Sequence, residues 1–125
     1  MSRKILVVDD DKNILQFLVT LLRGNGYDVI TALDGAGAVM RAHKDRPDLI
    51  LLDIMMPAGD GLSVCDKLQM STHTNHIPII VLTASEQPDI EAKARQARAC
   101  CLIKKPFDVD HLLGRMAQAL GPSPA

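Results

Sequence analysis

Asp48-Leu49-Ile50-Leu51-Leu52-Asp53 is the stretch that decides the fold. Four large aliphatic residues stand in unbroken succession between two acids. Successive side chains of a strand point to opposite faces, so a strand wetted on one face alternates apolar with polar residues. A run that does not alternate is buried on both faces, and that requires helices above and below a parallel sheet. Lys4 to Val8 reads the same way after its first residue, and so does Ile77 to Leu82. Tyr27 to Thr31 and Cys100 to Ile103 complete five predicted strands.

Helical spacing fills the intervals. Asn13 to Arg23 carries Ile14, Phe17, Leu18, Leu21 and Leu22 on one expected face, with Gly24 and Gly26 to end it. Ala36 to Lys44 is a weaker helix, with Val39 and Met40 expected to face in. Asp60 to Met70 is helical through Leu62, Cys65 and Leu68. Ile90 to Ala99 is built on alanines with one large aliphatic residue, so it is expected to be the least firmly held helix. Asp108 to Leu120 turns Val109, Leu112, Leu113, Met116 and Leu120 inward. Residues 1–120 thus read as one α/β domain, a doubly wound five-stranded parallel sheet with five helices in three layers. Gly121 to Ala125 reads as a flexible tail or the start of a linker.

The chain has 125 residues, 47% of them apolar, which suffices for one domain with its own core. The formal net charge is -1, so no basic surplus points to nucleic acid. No apolar run approaches the ~20 residues of a membrane span, and the first residues lack the pattern of a signal peptide. Three cysteines, with Cys100 and Cys101 adjacent, make no disulfide framework. All three are expected to be small, largely buried hydrophobes in a reducing cytoplasm.

In a doubly wound sheet, ligands sit beyond the carboxyl ends of the strands. Asp9, Asp10 and Asp11 end the first strand, Asp53 the third and Thr83 the fourth; Lys104 and Lys105 follow the fifth. Asp11 suits a helix cap. The other acids repel: two unit charges ~4 Å apart cost roughly 4 kcal/mol at an effective dielectric of ~20. A fold that gathers them needs a compensating cation, and oxygen-only ligation fits Mg²⁺. A dinucleotide or flavin site would place backbone N–H groups and small residues after the first strand, and this chain places acids there. Acids suit a site in which Mg²⁺ bridges carboxylates and a transferring phosphoryl group, with Lys105 and Thr83 on the phosphoryl oxygens. Asp53, behind four apolar residues, is the natural nucleophile.

These residues closely resemble the receiver domain of bacterial two-component response regulators. The matching segments are Ile5 to Asp11, Pro47 to Pro57 with Asp60-Gly61, Val81 to Ala84, and Lys105 to Phe107, in order along residues 3–120. The resemblance implies a flavodoxin-like fold with strand order 2-1-3-4-5. It implies a signalling protein, not an enzyme with an independent substrate, whose phosphoacceptor is Asp53. The phosphoryl donor would be a histidine kinase, a histidine phosphotransfer protein or a small acyl phosphate. Asp10, Asp53 and the backbone carbonyl of Met55 would ligate Mg²⁺, with Asp9 acting through water. Thr83 would be the switch hydroxyl and Lys105 the phosphoryl-neutralising lysine, its bond to Pro106 cis. Phosphorylation would alter a face that binds a downstream target or an output domain. The protein would be cytoplasmic, not inserted in a membrane and not itself bound to nucleic acid, and a monomer or weak dimer.

Two positions depart from the family pattern. Leu102 stands where a Tyr or Phe usually reports the switch, and Arg98-Ala99 stands where a Gly-Ala pair usually turns into the last strand. If that turn needs a positive φ, Arg98 is strained. Met55 and Ser85, flanking the expected phosphoryl entry, offer no carboxylate to steer water, so dephosphorylation is expected not to be especially fast. Two rivals are a Mg²⁺-dependent phosphohydrolase with an aspartyl intermediate and a phosphorylation-independent interaction module of the same fold. The first usually puts its nucleophile after the first strand; the second is supported by Leu102.

Overall fold

The computed structural model describes residues 2–53, 55–56, 59–84 and 88–121. Five parallel strands form one sheet: β1 (Lys4–Val8), β2 (Asp28–Ala32), β3 (Leu49–Asp53), β4 (Ile79–Thr83) and β5 (Cys101–Lys104). Their spatial order is β2-β1-β3-β4-β5. Leu6 pairs with Ile50, Leu52 with Val81, and Ile80 with Cys101, so β3 lies at the centre. All five β3 residues are buried, as its unbroken apolar run requires.

Residues of alternating parity divide between two cores. Leu6, Val8, Ile50, Leu52, Ile79 and Val81 pack on one face against α2 (Gly35–Asp45), α3 (Gly61–Met70) and α4 (Ile90–Gln96). Ile5, Val7, Leu49, Leu51, Ile80 and Leu82 pack on the other against α1 (Lys12–Gly24) and α5 (Val109–Leu120). Each fully buried aliphatic side chain contributes roughly 1.5–3 kcal/mol relative to exposure. The result is the flavodoxin-like three-layer sandwich. A short antiparallel ribbon, Met55–Met56 with Gly59–Asp60, follows β3 and has no counterpart in the apolar pattern. Among the described residues no helix is long and apolar enough to cross a membrane.

The helix ends follow local chemistry. Asp11 caps α1, its Oδ1 accepting from the Asn13 and Ile14 N–H groups at 2.9 and 3.4 Å. Asp34 caps α2 and Asp108 caps α5 in the same way. At the end of α1, Tyr27 N–H bonds the Leu22 carbonyl and Gly26 N–H the Arg23 carbonyl, with Gly26 at φ 89°. The end of α4 repeats that motif: Ala99 N–H bonds the Ala94 carbonyl, and Arg98 N–H the Arg95 carbonyl. Arg98 takes the left-handed position there, at φ 65°, so the helix stops at Gln96 rather than reaching Ala99. α4 buries Ile90 and Ala94 and has no side-chain cap, in keeping with its thin sequence.

Three expected inward residues face out. Phe17 is 50% exposed and Met40 59% exposed. In α1 the buried stripe is Leu15, Leu18 and Leu22, which leaves Phe17 well off it at ~100° per residue. In α2 the inward positions are Ala38 and Ala42. A Cβ on Gly35 would lie 2.7 Å from Val64 Cγ2, so α2 runs too close to α3 for a larger side chain to be welcome beneath it. Cys100 is also exposed and Cys101 half-buried; of the three cysteines Cys65 is the buried one. The tail residues 122–125 and Ser85 lie outside the described residues, and the Met55 side chain is likewise not described.

Candidate functional site

Four strand ends converge on one rim. β1 runs on through Asp9, whose N–H donates to Ala32 O of β2 at 3.2 Å, so this acid is held by the sheet itself. β3 delivers Asp53 as its last residue, and β4 delivers Thr83. Asp9 is 2% exposed, Asp53 5% and Thr83 fully buried, whereas Asp10 is exposed. One oxygen of each of Asp9, Asp10 and Asp53 lies within 4.8 Å of the others. The Lys105 ammonium enters from β5, 3.0 Å from Asp9 Oδ2 and 3.5 Å from Asp53 Oδ2. The backbone N–H of Lys105 donates to the Thr83 carbonyl at 2.7 Å, which locks the chain after β5 against β4. The Lys105-Pro106 peptide is cis.

The donor set decides which cofactor fits. Three carboxylates and one ammonium leave a formal surplus of two negative charges (-3 + 1) in a site where two of the acids are almost dry. Such a surplus calls for a divalent cation. Oxygen donors alone, with one acid open to water, suit Mg²⁺, which keeps several of its waters. The Asp9/Asp10/Asp53 cluster is therefore a Mg²⁺-type site.

The three acids are not equivalent. Asp9 Oδ1 accepts from Asp11 N–H at 2.9 Å and Oδ2 accepts from Lys105. Both of its oxygens are engaged, whereas the Asp10 carboxylate accepts no hydrogen bond among the described residues. Lys105 lies nearer to Asp9 than to Asp53, and its pairing with Asp9 spans 96 residues of sequence, which no local pattern signals. Lys104 is exposed and is in no ion pair among the described residues. Leu102 packs on the core beside α4.

A family model described as the response regulator receiver domain matches residues 5–117. The chain belongs to that family. Its curated relatives include the response regulator MprA of Mycobacterium tuberculosis, 42% identical over 120 residues, and the response regulator PleD of Caulobacter vibrioides, 40% identical over 116 residues. These matches take up 96% and 93% of this chain, but it spans 51% of MprA and 26% of PleD. The receiver fold also matches the chemotaxis protein CheY4 of Vibrio cholerae, with a TM-score of 0.90 and 32% identity over 96% of this chain and 100% of that one. A receiver domain is a signalling module and not a conventional enzyme. The acid cluster, Thr83 and Lys105 stand together at the carboxyl rim of this one.

Proposed function

We propose that Asp53 accepts a phosphoryl group from a histidine kinase or a histidine phosphotransfer protein, and that a small acyl phosphate can serve as donor. The observation that carries this reading is the ammonium of Lys105 between two nearly dry carboxylates, beside a third that faces solvent. Asp10 and Asp53, with the Met55 carbonyl, would hold Mg²⁺, and Asp9 would reach it through water. When bound, Mg²⁺ supplies positive charge that offsets the acids and the transferring phosphoryl oxygens.

One oxygen of Asp53 attacks phosphorus as the bond from phosphorus to the donor's leaving atom breaks. The sheet fixes Asp53 for this attack, since β3 is packed on both faces. Lys105 stabilises charge on the phosphoryl group, and the Thr83 hydroxyl donates to one of its oxygens. The product adds negative charge within reach of both. Thr83 and Lys105 move toward it, and they share a backbone hydrogen bond, so β4 and β5 respond together. The lightly packed α4 shifts with them and alters the face seen by a downstream target or an output domain. Its place is the cytoplasm, beside its kinase.

Asp53→Asn tests the reading. With a small acyl phosphate and Mg²⁺, the wild type gains the mass of one phosphoryl group and the variant gains none. A variant that is phosphorylated at the wild-type level refutes the assignment.

A further inference from the structure

Two histidines meet at the edge of the sheet opposite the acid rim. His43 lies near the end of α2, just before the chain enters β3, and His73 lies in the turn between α3 and β4. Both therefore stand toward the amino ends of the strands, and both are exposed. Their ring centres are 6.2 Å apart, with the ring planes inclined at 59°. We propose that His43 and His73 form a second metal site, distinct from the Mg²⁺-type rim, which takes a divalent transition-metal ion that prefers imidazole, Cu²⁺ most tightly.

The His43 ring is already oriented as a ligand. Its Nδ1 lies 3.0 Å from the Val39 carbonyl. A carbonyl only accepts, so Nδ1 carries the proton and the neutral ring keeps its lone pair on Nε2. A backbone carbonyl is a common outer partner of a metal-bound histidine, because it fixes both the tautomer and the ring orientation. Nε2 faces the Ser71 hydroxyl, which donates to it at 3.2 Å. The same hydroxyl accepts from the His73 backbone N–H at 3.3 Å, so Ser71 links the two histidines.

The turn that carries His73 is fixed from within. Thr74 is fully buried, and its Oγ1 donates to the Leu68 carbonyl at 2.6 Å. The backbone N–H groups of Thr74 and Asn75 both donate to the Ser71 carbonyl. The backbone is thus set on both sides of the pair, and binding requires only a rotation of the exposed His73 side chain. Bonds of ~2.0–2.1 Å from a metal to two imidazole nitrogens place the ring centres roughly 5–6.5 Å apart, depending on the angle at the metal. The observed 6.2 Å falls inside that range.

The donor type selects the ion. Imidazole nitrogen suits copper, nickel and zinc, and Cu²⁺ binds such a set most tightly. Mg²⁺ prefers oxygen and stays with the carboxylates of the rim. Among the described residues the pair is joined by no third His, Cys, Asp or Glu, so water completes the coordination. The ion takes the place of the Ser71 hydroxyl proton at Nε2 and ties α2 to the turn before β4.

The test uses the whole chain with saturating Mg²⁺, which occupies the acid rim. Cu²⁺ is added to one equivalent and followed by titration calorimetry and electron paramagnetic resonance. The spectrum should show splitting by the ring nitrogens of two imidazoles. His43→Gln and His73→Gln should each weaken Cu²⁺ binding by ~10-fold or more and reduce the splitting to that of at most one ring. Both side chains are exposed, so neither replacement disturbs the core. His111→Gln should change nothing, since α5 packs on the other face of the sheet. Phosphorylation of Asp53 should be unaltered in all three variants, which keeps this test separate from that of the phosphoacceptor. A wild-type spectrum with fewer than two imidazole nitrogens would overturn the proposal. So would Cu²⁺ affinity that survives either replacement, or an equal loss in His111→Gln.

Discussion

Lys105 Nζ lies 3.0 Å from Asp9 Oδ2, closer than to Asp53, and Asp9 is 2% exposed. The ammonium thus holds the most deeply placed acid and remains within reach of the phosphoacceptor position. Lys105→Met leaves a nearly dry carboxylate without its cation, a loss of about 1–3 kcal/mol. Urea unfolding should show that deficit without metal and a smaller one with Mg²⁺, since a cation that binds the folded state stabilises it. Phosphorylation of Asp53 should fall in the same variant. Unchanged stability would mean that the contact is incidental.

Asp10 has a different task, because it faces water and accepts no hydrogen bond among the described residues. Asp10→Asn removes one charge from a cluster that repels itself. Screening by solvent limits the gain, so metal-free stability should rise by about 1 kcal/mol. Mg²⁺ affinity should drop at the same time, as titration calorimetry can measure. Equal Mg²⁺ affinity in the two proteins would remove Asp10 from the ligand set.

Arg98 does at the end of α4 what Gly26 does at the end of α1: each makes the left-handed turn of the same capping motif, at φ 65° and 89°. The conformation costs a residue with a Cβ roughly 1 kcal/mol more than glycine. Part of that is offset because glycine also loosens the unfolded chain. Arg98→Gly should therefore raise stability by about 0.5 kcal/mol or slightly more, and a urea midpoint shift at constant slope would show it. A destabilised variant would mean that the Arg98 side chain makes a compensating contact.

The sheet was legible because unbroken apolar runs such as Leu49 to Leu52 admit one placement, with both faces covered. The rim was legible for a related reason: strand ends fix the positions of Asp9, Asp53 and Thr83 without any knowledge of the helices. Helix faces were harder to read. α1 carries more apolar residues than one stripe can bury, so a face drawn through Phe17 passed over Leu15, which the fold buries in its place. Met40 misled because the closeness of α2 to α3, set by Gly35, is a tertiary fact. The exposure of Cys100 also depends on where β5 begins, one residue later than its apolar run suggested. The Lys105–Asp9 pair joins the two ends of the chain, and no window of sequence contains both.

Cys65 gives the fold a pH dependence of known sign. Burial, with Asp66 nearby, pushes its thiol up to about 12 from the ordinary 9.0. Below pH 9 both states hold the proton and its contribution is intact. As pH rises from 9 toward 12 the unfolded chain loses the proton first, so stability falls. Other groups titrate there too, and Cys65→Ala isolates this one. At pH 7 the variant should have the lower thermal midpoint because of its small cavity. The gap should narrow steadily above pH 9. A gap constant from pH 7 to 11 would contradict the buried, protonated thiol.

The central claim is that the phosphoryl group goes to Asp53 and to no other acid of the rim. Borohydride reduces an acyl phosphate to an alcohol, which marks the modified aspartate permanently as homoserine. The protein should be treated with a small acyl phosphate and Mg²⁺, reduced, digested and sequenced by mass spectrometry. The account predicts homoserine at position 53, with Asp9, Asp10 and Asp11 intact, and none formed when Mg²⁺ is chelated. Homoserine at position 9 or 10, or a wholly unmodified chain with Mg²⁺ present, would contradict it.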